Sequence, residues 1–229
     1  AETLAEDGYD IIIGHGGQYS SPFAEICEDY PDTWFVTLGG TEIRDNQFPV
    51  NTTFEEVCYV AGVVAAKMSK SNKVGMLVGG EFPAYTKTTR GLELGAKSVN
   101  PDIECMSAVL SNIDMNEAYE TTTNQINAGA DVIFSNANEG SLGSIKAAVD
   151  ADVYCFGVLG DYNAEAPDNC LMSLICDYGM TYVATVKAIA EGIDKTDVLW
   201  VGMADGAIRY VWNDNLKSEV PEDVIAAAE

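Results

Sequence analysis

Short apolar runs alternate with longer segments of helical periodicity along most of this chain. The apolar runs predict strands near residues 10–14, 34–38, 73–78, 103–110, 131–135, 153–158 and 171–175. The periodic segments predict helices near residues 21–29, 54–69, 84–99, 115–128, 141–150 and 178–191. Alternation of this kind is typical of βαβ units, so the pattern predicts an α/β fold with parallel sheets.

Local signals mark the ends of two of these helices. Thr53 and Glu56 have the spacing of a capping box, in which each side chain accepts a hydrogen bond from a free backbone amide. We therefore expect the second helix to begin at Phe54. Gly129 suits the left-handed conformation that follows a last helical turn, so a helix is expected to end just before it.

The pattern changes after Glu191. Residues 198–203 and 207–212 predict two further strands, and Asp205-Gly206 between them is a hairpin signal. Residues 215–229 predict an acidic helix. The last part of the chain is thus expected to form a hairpin followed by a tail helix.

The charge balance excludes several kinds of partner. The chain has 36 acidic and 12 basic residues among 229, which gives a formal net charge of −24. Nucleic acids require a basic surface, so nucleic-acid binding is not expected, and neither is binding to anionic membranes or highly phosphorylated ligands. The chain contains no apolar run of 18 residues and no visible signal peptide. A mature exported protein would have the same features.

The cysteines do not have the spacing of a metal or redox motif. None of the six forms a Cys-x-x-Cys pair, which argues against a zinc ribbon or a thioredoxin-type site. Cys27, Cys58, Cys105 and Cys155 lie in apolar segments, where free buried thiols are common. Cys170 and Cys176 are the two that could pair in an oxidising compartment.

Loops that follow predicted strands hold the candidate ligand contacts, because parallel sheets bind ligands at the carboxyl ends of their strands. The first loop contains the only histidine of the chain, which is either a ligand contact or an ordinary loop residue. Asn138 has helix capping as its alternative role. Side-chain amides can offer both a donor and an acceptor to the edge of a purine. The candidate pocket residues are His15, Gln18, Tyr19, Phe82, Asn136, Asn138, Asp161 and Tyr162.

Catalytic and cofactor motifs are missing from the sequence. Tyr19 stands where a dinucleotide fingerprint needs its third glycine, and no Walker lysine follows. A single histidine and the lack of a Gly-x-Ser-x-Gly elbow argue against a catalytic triad. We therefore predict no catalytic residue, metal or cofactor, and a nucleoside-cleaving hydrolase is the weakest alternative.

Several segments together resemble one known family. They are residues 8–14, 30–36, 61–68, 73–80, 91–97, 129–134 and 166–169. The family is that of the basic membrane proteins, which are substrate-binding lipoproteins of ABC transporters, several of them specific for purine nucleosides or bases. The resemblance implies two Rossmann-like lobes of the type 1 periplasmic-binding-protein kind. The first lobe would hold residues 1–71 and 177–195, the second residues 72–176, and the hairpin and tail residues 196–229.

One departure from the family concerns the start of the fold. The family has a strand, a helix and a strand ahead of the position of Ala1, a unit of roughly 30 residues or more. Without that unit, the strand from Asp10 to Gly14 is expected to be an exposed, apolar edge of a parallel sheet. Either the sequence is incomplete or another chain covers this edge.

Two further departures concern the ligand. Leu159 stands where the family often has the first aspartate of a Val-Asp-x-Asp loop, so only Asp161 remains there. Cys176 stands where the family has a lysine. Losing a buried carboxylate together with a cation leaves neither charge alone, and it favours a free base or another aromatic compound over an intact nucleoside.

The resemblance implies an extracytoplasmic solute-binding protein that closes two lobes on a small neutral aromatic ligand. Its partners would be that ligand and an ABC transporter permease, and the full-length form would carry a lipid anchor. A second hypothesis is a structural or assembly protein of the same fold, with a degenerate pocket, that polymerises through the open strand edge.

Overall fold

The strands of the protein form two separate sheets. A computed structural model describes residues 1–193 and 197–229. The strands are β1 (Ile11–Gly14), β2 (Trp34–Leu38), β3 (Gln47–Thr52), β4 (Lys73–Val78), β5 (Glu104–Val109), β6 (Val132–Asn136), β7 (Tyr154–Leu159), β8 (Cys170–Cys176), β9 (Leu199–Val201) and β10 (Ile208–Trp212). One sheet has the order β1-β2-β3-β9, and the other has the order β10-β8-β7-β6-β4-β5.

Helices connect most of these strands. They are α1 (Glu2–Glu6), α2 (Ser20–Ile26), α3 (Glu55–Met68), α4 (Pro83–Val99), α5 (Met115–Asn127), α6 (Ser141–Asp150), α7 (Tyr178–Ala190), α8 (Asp214–Lys217) and α9 (Glu222–Ala228). The chain divides into two units. Unit 1 comprises Ala1–Thr53 and Asp177–Ala207, and unit 2 comprises Phe54–Cys176 and Ile208–Glu229. Within the described residues, no helix is both long and apolar enough to cross a membrane.

Unit 1 has apolar side chains on both faces of its sheet, and its four strands run parallel. Successive side chains of a strand point to opposite faces. Ile12 and Phe35 pack with Phe23 of α2 on one face. Val36 and Phe48 belong to the core of the other face, which α7 covers. As the sequence predicted, β1 is an edge strand of this sheet.

Asn46 holds a loop of unit 1 in place. Its side-chain nitrogen donates to the carbonyl oxygens of Cys27, Tyr30 and Thr33 at 2.8, 2.9 and 2.8 Å. Asn46 is only 8% exposed. The oxygens of Cys27 and Tyr30 also accept backbone amides, so among the three it is the Thr33 oxygen for which the side chain supplies the donor that the backbone does not.

Unit 2 has five parallel strands, and β10 runs antiparallel to β8 at one edge. Its helices α3 and α4 approach closely because glycines face backbone atoms across the contact. A Cβ on Gly62 of α3 would overlap the carbonyl oxygen of Leu92, and one on Gly95 of α4 would overlap that of Tyr59. These positions therefore require glycine for packing, although glycine lowers helix propensity.

Asp131 stabilises the loop between α3 and β4 through hydrogen bonds. Its carboxylate accepts hydrogen bonds from the hydroxyl of Ser69 at 2.5 Å and from the backbone amides of Lys70 and Ser71 at 2.7 and 2.8 Å. Burial acts to raise the pKa of Asp131, but the hydrogen bonds outweigh it and lower that pKa overall. The ionised form is thus the one that the fold stabilises.

The sequence did not predict β3. Pro49 lies inside this strand, and proline ordinarily argues against a central strand because it cannot donate a hydrogen bond. In the structure, Pro49 pairs only with the β2 side, since β9 is paired to β3 from Val50 onward. The backbone N–H that proline lacks would therefore point toward the β9 side of the strand, where pairing with β9 begins only at the next residue.

The predicted hairpin around Asp205-Gly206 is wrong. Gly206 does adopt a left-handed turn, with a φ of 75°. The flanking strands, however, pair elsewhere: β9 joins β3 in unit 1 and β10 joins β8 in unit 2.

The predicted tail helix is divided into α8 and α9, with Pro221 just before the second. The structure also assigns α3 to unit 2, whereas residues 54–71 were expected in the first lobe.

The predicted capping box at Thr53 is also wrong. The backbone amide of Thr53 donates to the carbonyl oxygen of Val201, which continues the pairing of β3 with β9. Because Thr53 is held in this ladder, α3 begins at Glu55 without a side-chain cap. The Thr53 hydroxyl is buried and has no hydrogen-bond partner in the described part of the chain.

The cysteines are all thiols in the structure. The Cys170–Cys176 pairing that the sequence left open is excluded, because these residues occupy the two ends of β8. Six residues of strand span roughly 20 Å, far more than a disulfide can bridge.

Candidate functional site

The loop after β1 places His15 among tyrosines of α7. The Nδ1 atom of His15 lies 2.6 Å from the hydroxyl oxygen of Tyr182. The His15 ring also meets the Tyr178 ring edge-on, with centroids 4.8 Å apart. Tyr178 and Tyr182 are one helical turn apart, so both can face the same loop. Contact with Tyr182 fixes the ring of His15 and leaves Nε2 as its other hydrogen-bonding atom.

Gln18 and Tyr19 belong to the same loop. The side-chain amide of Gln18 lies 3.5 Å from the carbonyl oxygen of His15, and both side chains are exposed. Tyr19 is 43% exposed, and its ring packs against Phe23 with centroids 5.8 Å apart. Gly16 has a φ of 133°, which only glycine adopts readily. The loop thus presents three polar or aromatic side chains at the carboxyl end of β1.

In unit 2, the loops after β4 and β6 meet at Tyr85 of α4. The side-chain nitrogen of Asn138 donates to the Tyr85 hydroxyl at 3.1 Å. Phe82 is 68% exposed. Asn138 has a φ of 48°, a left-handed conformation that asparagine tolerates better than most residues. The alternative role of Asn138 as a helix cap is wrong, since neither the short helix at 138–140 nor α6 has a side-chain cap bond.

Asn136 is buried at the end of β6, with only 3% exposed. Its side-chain nitrogen lies 3.3 Å from the Thr88 hydroxyl oxygen, to which it donates. Its side-chain oxygen has no hydrogen-bond partner within the described residues. A buried polar atom without a partner costs about 1–3 kcal/mol. Because Oδ1 is itself buried, only a donor that enters the interior could satisfy it.

The last residue of β7, where the following loop begins, has a strained backbone. Leu159 has a φ of 68°, which is costly for a bulky side chain and is more common near functional sites. Asp161 is exposed, and its carboxylate accepts a hydrogen bond from the Asn163 amide at 3.0 Å. The ring of Tyr162 packs against the core, and its amide donates to the Ser173 hydroxyl at 2.9 Å. Asp161 is therefore accessible, whereas Tyr162 is held by the interior.

The structure thus divides the predicted residues between two sets. His15, Gln18 and Tyr19 share one loop of unit 1, while Phe82 and Asn138 flank Tyr85 in unit 2. Sequence reasoning missed the helical tyrosines that hold these loops, namely Tyr85, Tyr178 and Tyr182. A signal was available for the last two, because a spacing of four residues puts both on one helix face.

Neither set has the composition of a metal or catalytic centre. In residues 1–193 and 197–229, no group of three histidine, cysteine, aspartate or glutamate side chains could hold a metal ion. The side chains of the two sets are aromatic or carry neutral hydrogen-bonding groups, and the predicted residue Asp161, whose carboxylate is exposed, belongs to neither set. Groups of this kind bind and orient a ligand.

Solved structures with the same fold are binding proteins and a regulator. A crystal structure of a transcriptional activator of the comK gene from Bacillus halodurans aligns with a TM-score of 0.85 and 24% identity, over 99% of this chain and 80% of that chain. An ABC transporter solute-binding protein from Conexibacter woesei aligns with a TM-score of 0.77 and 23% identity, over 99% and 76%. The fold is therefore the α/β fold of periplasmic binding proteins, as the sequence predicted.

The sequence comparison gives the family. The pattern of the Bmp family, described as ABC transporter substrate-binding protein PnrA-like, matches residues 1–229, and the chain belongs to this family. A purine-binding protein of Brucella abortus is 30% identical over all of this chain and 64% of its own length. A protein of Haloferax volcanii named as an ABC transporter glucose-binding protein is 30% identical over all of this chain and 58% of its own length.

These comparisons confirm the predicted family and the class of protein. The family consists of substrate-binding proteins of ABC transporters, not of enzymes. The chain spans less than two thirds of the length of the two relatives just described. The relatives also differ in the ligand that their names state, one a purine and the other glucose.

Proposed function

We propose that this chain is the ligand-binding part of an extracytoplasmic protein that delivers a small neutral aromatic solute, best represented by a purine base, to an ABC transporter permease. In the whole protein, a lipid anchor would hold it at the membrane. The observation that carries the proposal is the pairing of aromatic rings with neutral hydrogen-bonding groups at strand ends of each unit. His15 with Tyr178 and Tyr182 forms one such group, and Asn138 with Tyr85 and Phe82 forms the other.

Two substitutions favour a base over a nucleoside. By the resemblance to the family, Leu159 stands where the family often has a ribose-binding aspartate, and Cys176 stands where it has a lysine. An apolar side chain cannot accept hydrogen bonds from sugar hydroxyls, which an aspartate accepts through two oxygens. The same loss disfavours a free hexose, which would leave several hydroxyls unpaired.

The affinity for three ligand classes tests this proposal. Isothermal titration would compare a purine base such as adenine or hypoxanthine, the corresponding nucleoside, and glucose. We expect the base to bind most tightly. Tighter binding of glucose would overturn the ligand class, and no binding of any of these compounds would count against the function.

Variants in each unit test the residues. His15→Ala and Asn138→Ala should each weaken binding of the base about tenfold, the equivalent of about 1.4 kcal/mol for one lost hydrogen bond. Asn124→Ala is the matched control, because Asn124 is exposed near the end of α5 and lies outside the proposed site. Equal affinities for all three variants would contradict the proposed contacts.

A second candidate function is assembly through the edge of the unit 1 sheet. Within the described chain, β1 pairs only with β2, and Ile11 and Ile13 are half-buried. The same unit exposes Met180 and Val183 of α7 by 44% and 48%. Open apolar edges promote pairing with another strand. Sedimentation would separate the two: monomers support solute binding, and polymers that an Ile11→Lys variant abolishes support assembly.

A further inference from the structure

Two cysteines of unit 2 lie directly opposite each other on neighbouring strands. Cys155 of β7 and Cys170 of β8 are register partners in a parallel pair. Adjacent strands lie about 4.7–4.9 Å apart, which is within the range of Cα separations, about 4.4–6.8 Å, that a disulfide can bridge. Both side chains are buried, with 1% and 0% exposed, and they belong to the same apolar cluster. Oxidation could therefore join them without a change of strand order.

The two thiols also contact each other. The hydrogen bond between them lowers the pKa of the Cys170 thiol and raises that of the Cys155 thiol. The Cys170 sulfur further donates to the side-chain oxygen of Asn163 at 3.3 Å, and the Ser173 hydroxyl oxygen lies 3.9 Å from it. The Asn163 oxygen is an acceptor and favours the protonated thiol. The interactions with Cys155, with Ser173 and with the backbone of Gly157 nevertheless lower the pKa of Cys170 overall, and so they favour the thiolate, which is the reactive form of cysteine. Cys170 is thus the member of the pair that reacts first.

A small polar cavity lies beside residues that flank the pair in sequence, although the two cysteines do not line it themselves. It has a volume of about 360 Å³, and its lining includes Tyr154 and Asn169, the chain neighbours of the two cysteines. A cavity of this size holds several water molecules and can admit a small neutral oxidant. Larger reagents, by contrast, cannot reach thiols that are almost fully buried.

The remaining cysteines have no comparable partner in the described residues. Cys176 lies at the far end of β8, and Cys105 lies on β5, which β6 and β4 separate from β7. Cys58 is on α3, and Cys27 is in unit 1. The register thus selects one pair from six thiols.

We propose that Cys155 and Cys170 form a peroxide-sensitive dithiol that closes to an intramolecular disulfide. In the first step, the Cys170 thiolate attacks one oxygen of hydrogen peroxide. The O–O bond breaks, Cys170 becomes a sulfenic acid, and the leaving hydroxide takes up a proton, equivalent to the one that the Cys170 thiol released on ionising, to give water. In the second step, the Cys155 sulfur attacks the Cys170 sulfur and displaces its hydroxyl group, which leaves as water with the Cys155 proton. Two thiols and one peroxide thus give one disulfide and two waters.

Formation of the disulfide would weaken the hydrogen bonds that hold the loop after β7. It removes the proton that Cys170 donates to Asn163, and Asn163 also accepts from the Ser173 hydroxyl at 2.8 Å. Ser173 in turn accepts from the Tyr162 amide. The oxidised protein should therefore show faster hydrogen exchange at Tyr162 than the reduced protein, and equal rates would overturn this coupling.

Thiol counting tests the disulfide itself. The folded chain is treated with hydrogen peroxide, then denatured, alkylated and weighed by intact mass spectrometry. We expect the alkylated thiols to fall from six to four and peptide mapping to find a Cys155–Cys170 link. Six remaining thiols, sulfinic acid without a disulfide, or a link between any other pair would overturn the proposal.

Two serine variants keep the test specific. Cys155→Ser should lose the disulfide and retain oxidation at Cys170, because the attacking thiol is gone. Cys58→Ser is the matched control, since Cys58 is also fully buried in unit 2 but lies on α3. It should lose only its own thiol and keep the disulfide. Formation of a disulfide in Cys155→Ser would contradict the assignment.

Discussion

The contact between α3 and α4 predicts that adding a single methyl group will destabilise unit 2. In Gly95→Ala, the new Cβ would overlap the carbonyl oxygen of Tyr59, an atom of the backbone that cannot rotate away. The two helices must therefore separate along their closest contact. Gly62, which faces the Leu92 carbonyl oxygen from the other side, has the same restriction.

The expected cost follows from two opposing effects. Alanine is favoured over glycine in a helix by about 1 kcal/mol. Overpacking of a rigid contact costs about 1–3 kcal/mol and sometimes more, and here the obstacle is backbone. We expect a net loss of about 2 kcal/mol, which for a chain of this size lowers Tm by roughly 4–8 °C.

Thermal unfolding followed by circular dichroism measures this effect. Gly179→Ala in α7 is the matched control, because its Cβ would meet only the end of the Asp177 side chain, at 3.2 Å. That variant should be as stable as the parent or slightly more stable. The double variant Gly62→Ala/Gly95→Ala should lose less than the sum of the single losses, since helices already separated accommodate the second methyl group. A Gly95→Ala protein as stable as the parent would refute the argument.

Three further variants test the contacts that hold loops in place. The Asp131→Asn variant should be less stable than the parent by about 1 kcal/mol at pH 7, and this difference in stability should shrink as the pH falls below about 4. The sign follows because the pKa of Asp131 is lowered in the folded state, so its carboxylate contributes stability above its unfolded-state pKa. A pH-independent difference in urea denaturation would contradict this reasoning. Asn46→Ala removes one donor from each of three loop carbonyls and leaves that of Thr33 without a donor in the described residues, so chemical denaturation should report a loss of about 1–3 kcal/mol, and a loss below about 0.5 kcal/mol would contradict that role. Asn138→Val should be less stable than Asn138→Gly by about 1–2 kcal/mol because of the positive φ, and equal melting temperatures would argue against a left-handed conformation.

The parts of the fold that the sequence predicted are those with strong apolar patterns. Runs such as that of β6 are buried in strands because their side chains cover both faces of a parallel sheet. β3 was missed since Pro49 conflicts with a central strand, and its tolerance depends on where β9 begins. The wrongly predicted hairpin shows that local signals do not determine strand pairing. The turn signal at Gly206 predicts the local backbone conformation, but it does not determine which strands pair with β9 and β10.

The candidate site was predictable only in its loops. The rule that ligands bind at strand ends selected His15 and Asn138 from a single sequence. The tyrosines that position them lie on helices far along the chain, Tyr182 being 167 residues from His15. No local pattern reports such a distance. Asn138 was equally open to a capping role, and only the structure, which has no side-chain cap bond at residues 138–140 or at α6, distinguishes the two.

The path of the chain has a consequence for synthesis and engineering. The backbone passes from one unit to the other after Thr53, after Cys176 and after Ala207. Neither half can therefore be excised as one continuous fragment, and an isolated half requires two pieces to be spliced together. During synthesis, neither sheet can be completed until a strand from the last third of the chain has been made. This strand is β9 for the sheet of unit 1 and β10 for the sheet of unit 2. A premature stop before residue 199 thus leaves both sheets a strand short.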